Sequence, residues 1–454
     1  MFYPPVAKSS YKFAIIHRDK CKRYTLETKV FYLLLKPNEY NIMINFERFK
    51  LKNGLKVIVH KDTSTPIVAV NILYNVGARD EDPDRTGFAH LFEHLMFGGS
   101  KNIPLYDEPL QIAGGENNAF TNSDITNYYL TLPKSNIETA FWLESDRMTG
   151  LAFSKKSLDV QRNVVCEEFK QSYLNQPYGD VYLLLKPLAY KVHPYQWNTI
   201  GKELSHIQTA SMADVKAFFK KFYCPNNAIM VVAGDVDTKE IRKLSQKWFG
   251  SIPEGKVTKR KLPPEPIQTK GRKKTVVRNI PSDTIYKAYH CSSRLDKEYY
   301  TVDLLSDILS NGKSSRFFQE LLMKKKLFSE INAYQTGDLD KGLFIISGKL
   351  SEGVKMEKAE DAIIKELEKI KKDLVKEDEL KKVKNKIEST LIFSEISVLS
   401  KAMNLAFAEL MGGAQQVNTE IDRYQSVTSK MIQQQANEIL KESNCSTLYY
   451  KAKK

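Results

Sequence analysis

From residue 43 onward, the apolar positions follow two spacings in turn. The runs "INFERFKLKNGLKVIVHKD", "IVAVNILYNVG", "NNAFTNSDITNYYLTLP" and "AIMVVAGDV" hold short alternating or continuous apolar stretches, which predict strands. Asn53-Gly54, between two such stretches, predicts a hairpin turn. Residues 87–97, 135–149, 155–172 and 211–222 carry the three-and-four spacing of helices. The pattern then lapses over 251–275, "SIPEGKVTKRKLPPEPIQTKGRKKT". This stretch is rich in Pro, Lys and Arg and predicts an interdomain linker. A second domain, 276–454, opens on a strand and has helical stretches near 299–327, 355–373 and 378–412. The lysines and glutamates of "DELKKVKNKIEST" read as a solvated helix face.

Residues 1–42 lack a clear period. Either Met43 is the biological start, or 1–42 is a loosely packed N-terminal extension. The expected organisation is therefore 1–42, a first domain 43–250, a linker 251–275 and a second domain 276–454.

Composition changes this picture little. The 454 residues are 42% hydrophobic and 27% charged, as in a globular protein of two or three domains. The formal charge of +15 invites a nucleic-acid reading. The lysines, however, are spread along most of the chain, and no helix-turn-helix, zinc-finger or RNA-binding signature occurs, so no nucleic-acid partner is expected. Cys21, Cys166, Cys224, Cys291 and Cys445 are scattered, odd in number and without a CxxC pair, which points to a reducing compartment. "MFYPPVAKSS" is not a signal peptide, and "VFYLLL" is too short to span a bilayer. A cytoplasmic protein with no membrane partner is the expectation.

One apolar stretch, "GFAHLFEHLMF", holds three ionisable groups in five residues. Thr86 is the expected N-cap and Gly98-Gly99 the expected stop of a helix. On it, His90 and His94 are one turn apart on one face, and Glu93 lies beside them. A helix this apolar is mostly buried, and buried ionisable groups are costly unless paired or bound to a metal. Two imidazoles at this spacing grip Zn²⁺, but a catalytic zinc site needs a third protein ligand. The candidate lies in "SLDVQRNVVCEEFKQSYLNQ", a helix with apolar Leu158, Val164, Val165 and Phe169. Glu167 and Glu168 point about 100° apart, so only one faces a site. Glu168 follows Val164 by one turn on the partly apolar face and is the expected ligand; Glu167 is expected to be exposed.

Three stretches resemble the pitrilysin/insulinase-type metallopeptidases, the inverzincins of HxxEH order: "TGFAHLFEHLMFGGS", "GGENNAFTNSDITNYYLTLP" and "QRNVVCEEFKQSYLNQPYG". The resemblance runs from about residue 46 to the C-terminus and is strongest over 85–185. It implies an α+β fold of two homologous domains, each a largely antiparallel sheet packed with helices on one face. It implies one Zn²⁺ per chain, held by His90, His94 and a glutamate about 75 residues further on, where Glu168 falls. Glu93 becomes the general base of a zinc endopeptidase, acting on a zinc-bound water. Gln161 stands where the family often has a glutamate that hydrogen-bonds and orients a metal ligand; a glutamine can orient a ligand but adds no charge. Asn118, Ala119 and Phe120 match the positions at which an edge strand grips a peptide or unfolded chain.

The second domain resembles the family's non-catalytic repeat. "NGKSSRFFQELLMKKKLFSE" aligns with a stretch that often carries an arginine and a tyrosine seven residues apart. Leu322 and Ser329 hold those places here. The resemblance therefore implies the catalytic half of a heterodimer, similar to the mitochondrial processing peptidase and to two-subunit bacterial relatives. A paralogous, non-catalytic subunit would supply the Arg/Tyr pair; two copies of this chain would still lack it. The alternative is a non-catalytic structural subunit of the same fold, against which the intact His90, Glu93, His94 and Glu168 weigh.

Overall fold

A computed structural model describes residues 43–257 and 260–453. The expectations for 1–42 lie outside the described residues. From Asn45 on, the described residues form one compact unit.

The first half holds strands β1(Glu47–Lys50), β2(Lys56–Lys61), β3(Ile67–Tyr74), β4(Glu116–Thr121), β5(Thr126–Pro133) and β6(Ala228–Gly234). Its helices are α1(Phe88–Leu95), α2(Asp107–Ile112), α3(Ile137–Thr149), α4(Lys155–Phe169), α5(Val181–Ala189), α6(Leu204–Gln208), α7(Met212–Phe222) and α8(Thr238–Phe249). The second half holds β7(Arg272–Arg278), β8(Thr284–His290), β9(Phe328–Gln335), β10(Leu343–Leu350) and β11(Cys445–Ala452). Its helices are α9(Tyr299–Ser310), α10(Met356–Lys372), α11(Glu377–Ser394), α12(Val398–Leu410), α13(Glu420–Gln425) and α14(Ser429–Ile439).

The sheets run β1-β2-β6-β3-β5-β4 and β7-β11-β8-β10-β9. With β1 set aside, the two orders are one order. Each half has a first strand parallel to its last (β2 to β6, β7 to β11), then antiparallel pairs out to an edge strand. The chain is a repeat of two α+β domains of the same topology.

Both sheets are covered on both faces, which explains their continuous apolar runs. On the first, Val57, Val68, Val70, Ile72, Met230 and Val232 join the core with α1, α3 and α4. The alternate residues Ile58, Ala69, Leu73, Ile229 and Val231 are also buried. There α12, from the second half, packs on β3, β6 and β2. Its Ala402 and Ala406 are fully buried and small enough for close approach. Lys401 pairs with Asp62 at 2.6 Å, and Glu409 with Lys56 at 2.8 Å. The second sheet is served reciprocally: Val181, Leu185 and Ala189 of α5 join Ala288, Ile345 and Leu448 on its reverse face. Each half thus lends the other a helix.

The stretch 378–412 is not one helix: α11 and α12 meet at a bend of 111°, so α12 can cross to the first sheet. Near 299–327, α9 ends at Ser310, and Gly312, at φ +90°, breaks the helix before a π-helical turn, Phe318–Lys324. Among the described residues no single helix is long and apolar enough to cross a membrane. The proline- and lysine-rich stretch after residue 251 is stitched down rather than loose. Arg260 reaches Asp80 at 2.6 Å and 2.8 Å, and Glu265 accepts the backbone N–H groups of Lys191, Val192 and His193.

Candidate metal centre

Helix α1 begins one residue later than its expected cap. Gly87 is the N-cap, at φ +90°, and no side chain of its own caps the turn. A Cβ there would meet the Ile207 side chain at 2.7 Å and the Ile200 carbonyl at 2.8 Å, so the site admits only glycine. Thr86 instead bonds to His206 at 2.9 Å and accepts the Lys202 N–H at 2.7 Å. The orphan donors of α1 go to a distant acceptor. The Glu81 carboxylate takes Gly87 N–H on one oxygen and Ala89 N–H on the other, both at 2.8 Å.

Phe88, Leu91, Phe92 and Leu95 bury one side of α1 in the core. From beneath, the Tyr128 hydroxyl donates to the Phe92 carbonyl. The face that remains carries His90, Glu93 and His94. The two imidazole rings are edge-on, 4.9 Å apart. Helix α4 brings Glu168 to them: its Oε2 lies 3.6 Å from His90 Nε2 and 3.5 Å from His94 Nε2. One ligand atom from each residue lies within 4.8 Å of the other two. Ligands bonded at about 2.0–2.1 Å around a tetrahedral Zn²⁺ stand about 3.3 Å apart, so the three fit that ion. Glu167 turns away to Lys170, at 2.7 Å.

The face of α4 that carries Glu168 is not apolar core. Leu158, Val165 and Phe169 are buried, but Val164 and Val160, one and two turns before Glu168, are exposed. This stripe opens toward solvent together with Glu168. Helix α4 stops at Phe169, and a π-helical turn, Lys170–Asn175, completes the expected 155–172 stretch. Gln161 lies beside Gly98 and makes no hydrogen bond to His90, His94 or Glu168.

Burial pushes the His90 pKa down to about 4, which keeps the imidazole in the neutral form that binds metal. His90 Nδ1 is buried with no hydrogen-bond partner, so no acceptor behind it orients the ring. Burial raises Glu168 as well, but the two imidazoles outweigh it and hold the carboxyl below its usual range. Burial raises the Glu93 pKa, partly offset by Thr121 and His94. Glu93 stands outside the three-residue cluster and next to Thr121, the last residue of β4.

Strand β4 is the free edge of the first sheet. Asn122 N–H donates to the Ile125 carbonyl, so alternate pairs along β4 and β5 place the backbone groups of Asn117, Ala119 and Thr121 outward. Asn118 is exposed; Ala119 and Phe120 are half-buried. In the second half, Leu322 is half-buried in the Phe318–Lys324 turn, and Ser329 is exposed on β9.

Sequence reasoning passed over Glu81, Arg79 and Arg147. Arg147 is buried, bonds Glu144 twice, and lies 4.4 Å and 4.7 Å from the Tyr128 and Tyr106 ring centroids. The base-acid-acid run "RDE" at 79–81 was the available signal for the first two, but Glu81 lies seven residues ahead of the first residue of the helix it caps.

The family model described as "Insulinase (Peptidase family M16)" matches residues 56–199, and that described as "Peptidase M16 inactive domain" matches 209–387. The second match begins within the first half, since α7, β6 and α8 complete the first sheet. The zinc protease PqqE of Helicobacter pylori is 33% identical over 344 residues, which span 74% of this chain and 77% of that protein. The beta subunit of the mitochondrial-processing peptidase of Saccharomyces cerevisiae is 24% identical over 366 residues, 76% of this chain and 78% of that subunit. A crystal structure of a protease from Helicobacter pylori matches with a TM-score of 0.84 at 29% identity, over 90% of this chain and 99% of that one. The periplasmic protease PqqL of Escherichia coli shares the fold, with a TM-score of 0.71 at 19% identity; the match covers 89% of this chain but 47% of that one.

Proposed function

From the premise that the chain belongs to the insulinase family, peptidase family M16, we propose that it is a zinc-dependent endopeptidase that hydrolyses peptides or unfolded chains. The observation that carries this reading is the convergence of His90, His94 and Glu168 within 4.8 Å, with Glu93 adjacent but outside the cluster. These three would hold a zinc ion, which would supply the Lewis acidity that polarises a scissile carbonyl and lowers the pKa of water.

The remaining steps belong to the chain. A substrate strand lies along the outward groups of β4, at Asn117, Ala119 and Thr121, and is held by backbone hydrogen bonds with little sequence dependence. Thr121 is the neighbour of Glu93, so a peptide in this register runs past the base. Glu93 takes the proton of the attacking water and delivers it to the leaving amine. Its raised pKa brings it nearer to neutrality than an exposed glutamate, as both roles require. Phe120 and Asn118 supply the side-chain contacts at this edge.

The working assembly in this reading is a pair of such chains. The match to 47% of PqqL supports a two-half unit, as does the placement of Leu322 and Ser329 where an Arg/Tyr pair is expected. The partner is a subunit of the same fold that carries the pair. The test is zinc stoichiometry of the purified chain, wild type against His94→Ala. One zinc per wild-type chain and none in the variant supports the site; no zinc in the wild type refutes it.

A further inference from the structure

Three loops of different origin meet where the two halves face each other. The β4–β5 turn, residues 122–125, ends the strand read here as the substrate edge. The β9–β10 turn, residues 336–342, is its repeat in the second half. Segment 77–81 follows β3 and leads to α1. Gly77 packs so closely on the first turn that a Cβ would meet Asp124 N at 2.5 Å. Ala78 and Arg79 donate their backbone N–H groups to the Asn122 and Ser123 carbonyls.

The repeat makes the role of Arg79 readable. Arg294 occupies the matching place after β8, and its N–H donates to the Asp338 carbonyl of its own turn, as Arg79 does to Ser123. Arg294 then turns inward to Glu420 within its own half. Arg79 reaches across. Its Nη1 lies 2.7 Å from Asp124 of the first turn and 2.8 Å from Asp340 of the second. Asp124 also accepts the Leu339 N–H at 2.8 Å and the Tyr195 hydroxyl at 2.5 Å, and that hydroxyl accepts the Asp340 N–H at 3.0 Å. Arg79 and Asp124 are each 5% exposed. Two residues on, Glu81 holds both N-terminal donors of α1 immediately before His90.

We infer that Arg79, Asp124 and Glu81 are positioning residues, through which the second half fixes the substrate edge and the metal-binding helix relative to each other. This rests on the peptidase reading above. The β9–β10 turn carries no zinc ligand, yet its Asp340 and Leu339 complete the lock on the turn of β4. Glu81 carries the same segment's position to α1. A charged pair this buried holds one geometry, because leaving either partner unpaired is costly.

The test begins at Asp340, which lies outside the catalytic constellation and has a side chain 43% exposed, so Asp340→Ala is expected to fold. Hydrogen exchange in this variant is expected to accelerate about tenfold or more at residues 116–126 and 88–95, with β8, β10 and β11 unchanged. Glu81→Gln is expected to lose roughly tenfold in zinc affinity, read by chelator competition. Wild-type exchange at both segments in Asp340→Ala overturns the inference, as does unaltered zinc affinity in a folded Glu81→Gln. Should Glu81→Gln fail to fold, Asp340→Ala decides alone. If the wild-type chain binds no zinc, the peptidase reading fails, while the exchange pattern still decides whether the second half positions these elements.

Discussion

The backbone N–H of Ala119 donates to the side-chain oxygen of Asn118 at 2.8 Å, on the unpaired edge of the first sheet. Asn118 thereby covers a donor that an added strand needs. In the proposed peptidase reading, a peptide that takes that N–H releases the Asn118 amide to pair with the peptide backbone. Asn118→Ala is therefore expected to raise KM about fivefold, the worth of one hydrogen bond of about 1 kcal/mol, with kcat within about twofold of wild type. Steady-state kinetics on an unstructured peptide check this; a fall in kcat at unchanged KM contradicts it.

Arg147 supports the metal helix from below, between Tyr106 and Tyr128, with Glu144 as its charge partner at 2.6 Å and 2.9 Å. The two side chains are 1% and 2% exposed. Arg147→Met strands a buried carboxylate and is expected to cost about 3–5 kcal/mol. Thermal denaturation is then expected to show Tm lowered by roughly 5 °C. A loss below about 1 kcal/mol contradicts the assigned role.

Asp338 provides a pH test away from the metal. Burial and the nearby Asp124 charge push its pKa from 3.8 up to about 6. The native state therefore keeps a proton that the unfolded chain has lost, so this group's contribution to stability falls as pH rises from about 4 to 6 and is then level. Asp338→Asn keeps the neutral form at every pH. Wild type is expected to lose stability relative to the variant on the order of 2 kcal/mol across that window, measured by urea denaturation. A stability difference that is flat from pH 4 to 7 contradicts the shift.

The strand and helix pattern announced most of the fold. Strands β3, β5 and β6 stand on the quoted apolar runs, and Asn53-Gly54 sits at the turn between β1 and β2, with Gly54 at φ +92°. His90, Glu93 and His94 were legible because helical spacing places them on one face, and Glu168 because only one of two adjacent glutamates can share it. What local pattern could not carry was contact at long range. The α11–α12 bend that carries Ala402 and Ala406 onto another domain's sheet leaves no period to read. Glu81 caps a helix whose first residue stands seven positions later, beyond the spacing of a capping box, whereas Thr86 stands immediately before the Gly87 N-cap.

The pairing of two chains has its own test. Alone, this chain is expected to bind zinc yet cleave peptides poorly, because Leu322 and Ser329 offer no cationic or phenolic grip on the substrate. Co-expression with a same-fold subunit carrying the Arg/Tyr pair is expected to raise kcat/KM by about 100-fold or more, the scale on which lost transition-state contacts act. Efficient cleavage by the isolated chain contradicts the pairing.

The central claim is that Glu93 acts as base beside a site built by His90, His94 and Glu168. Glu93→Gln, assayed together for zinc content and for peptide cleavage with its partner present, tests it most directly. Zinc is expected at one per chain, as in wild type, with cleavage reduced by about 100-fold or more. Wild-type cleavage by this variant, or loss of its zinc, contradicts it.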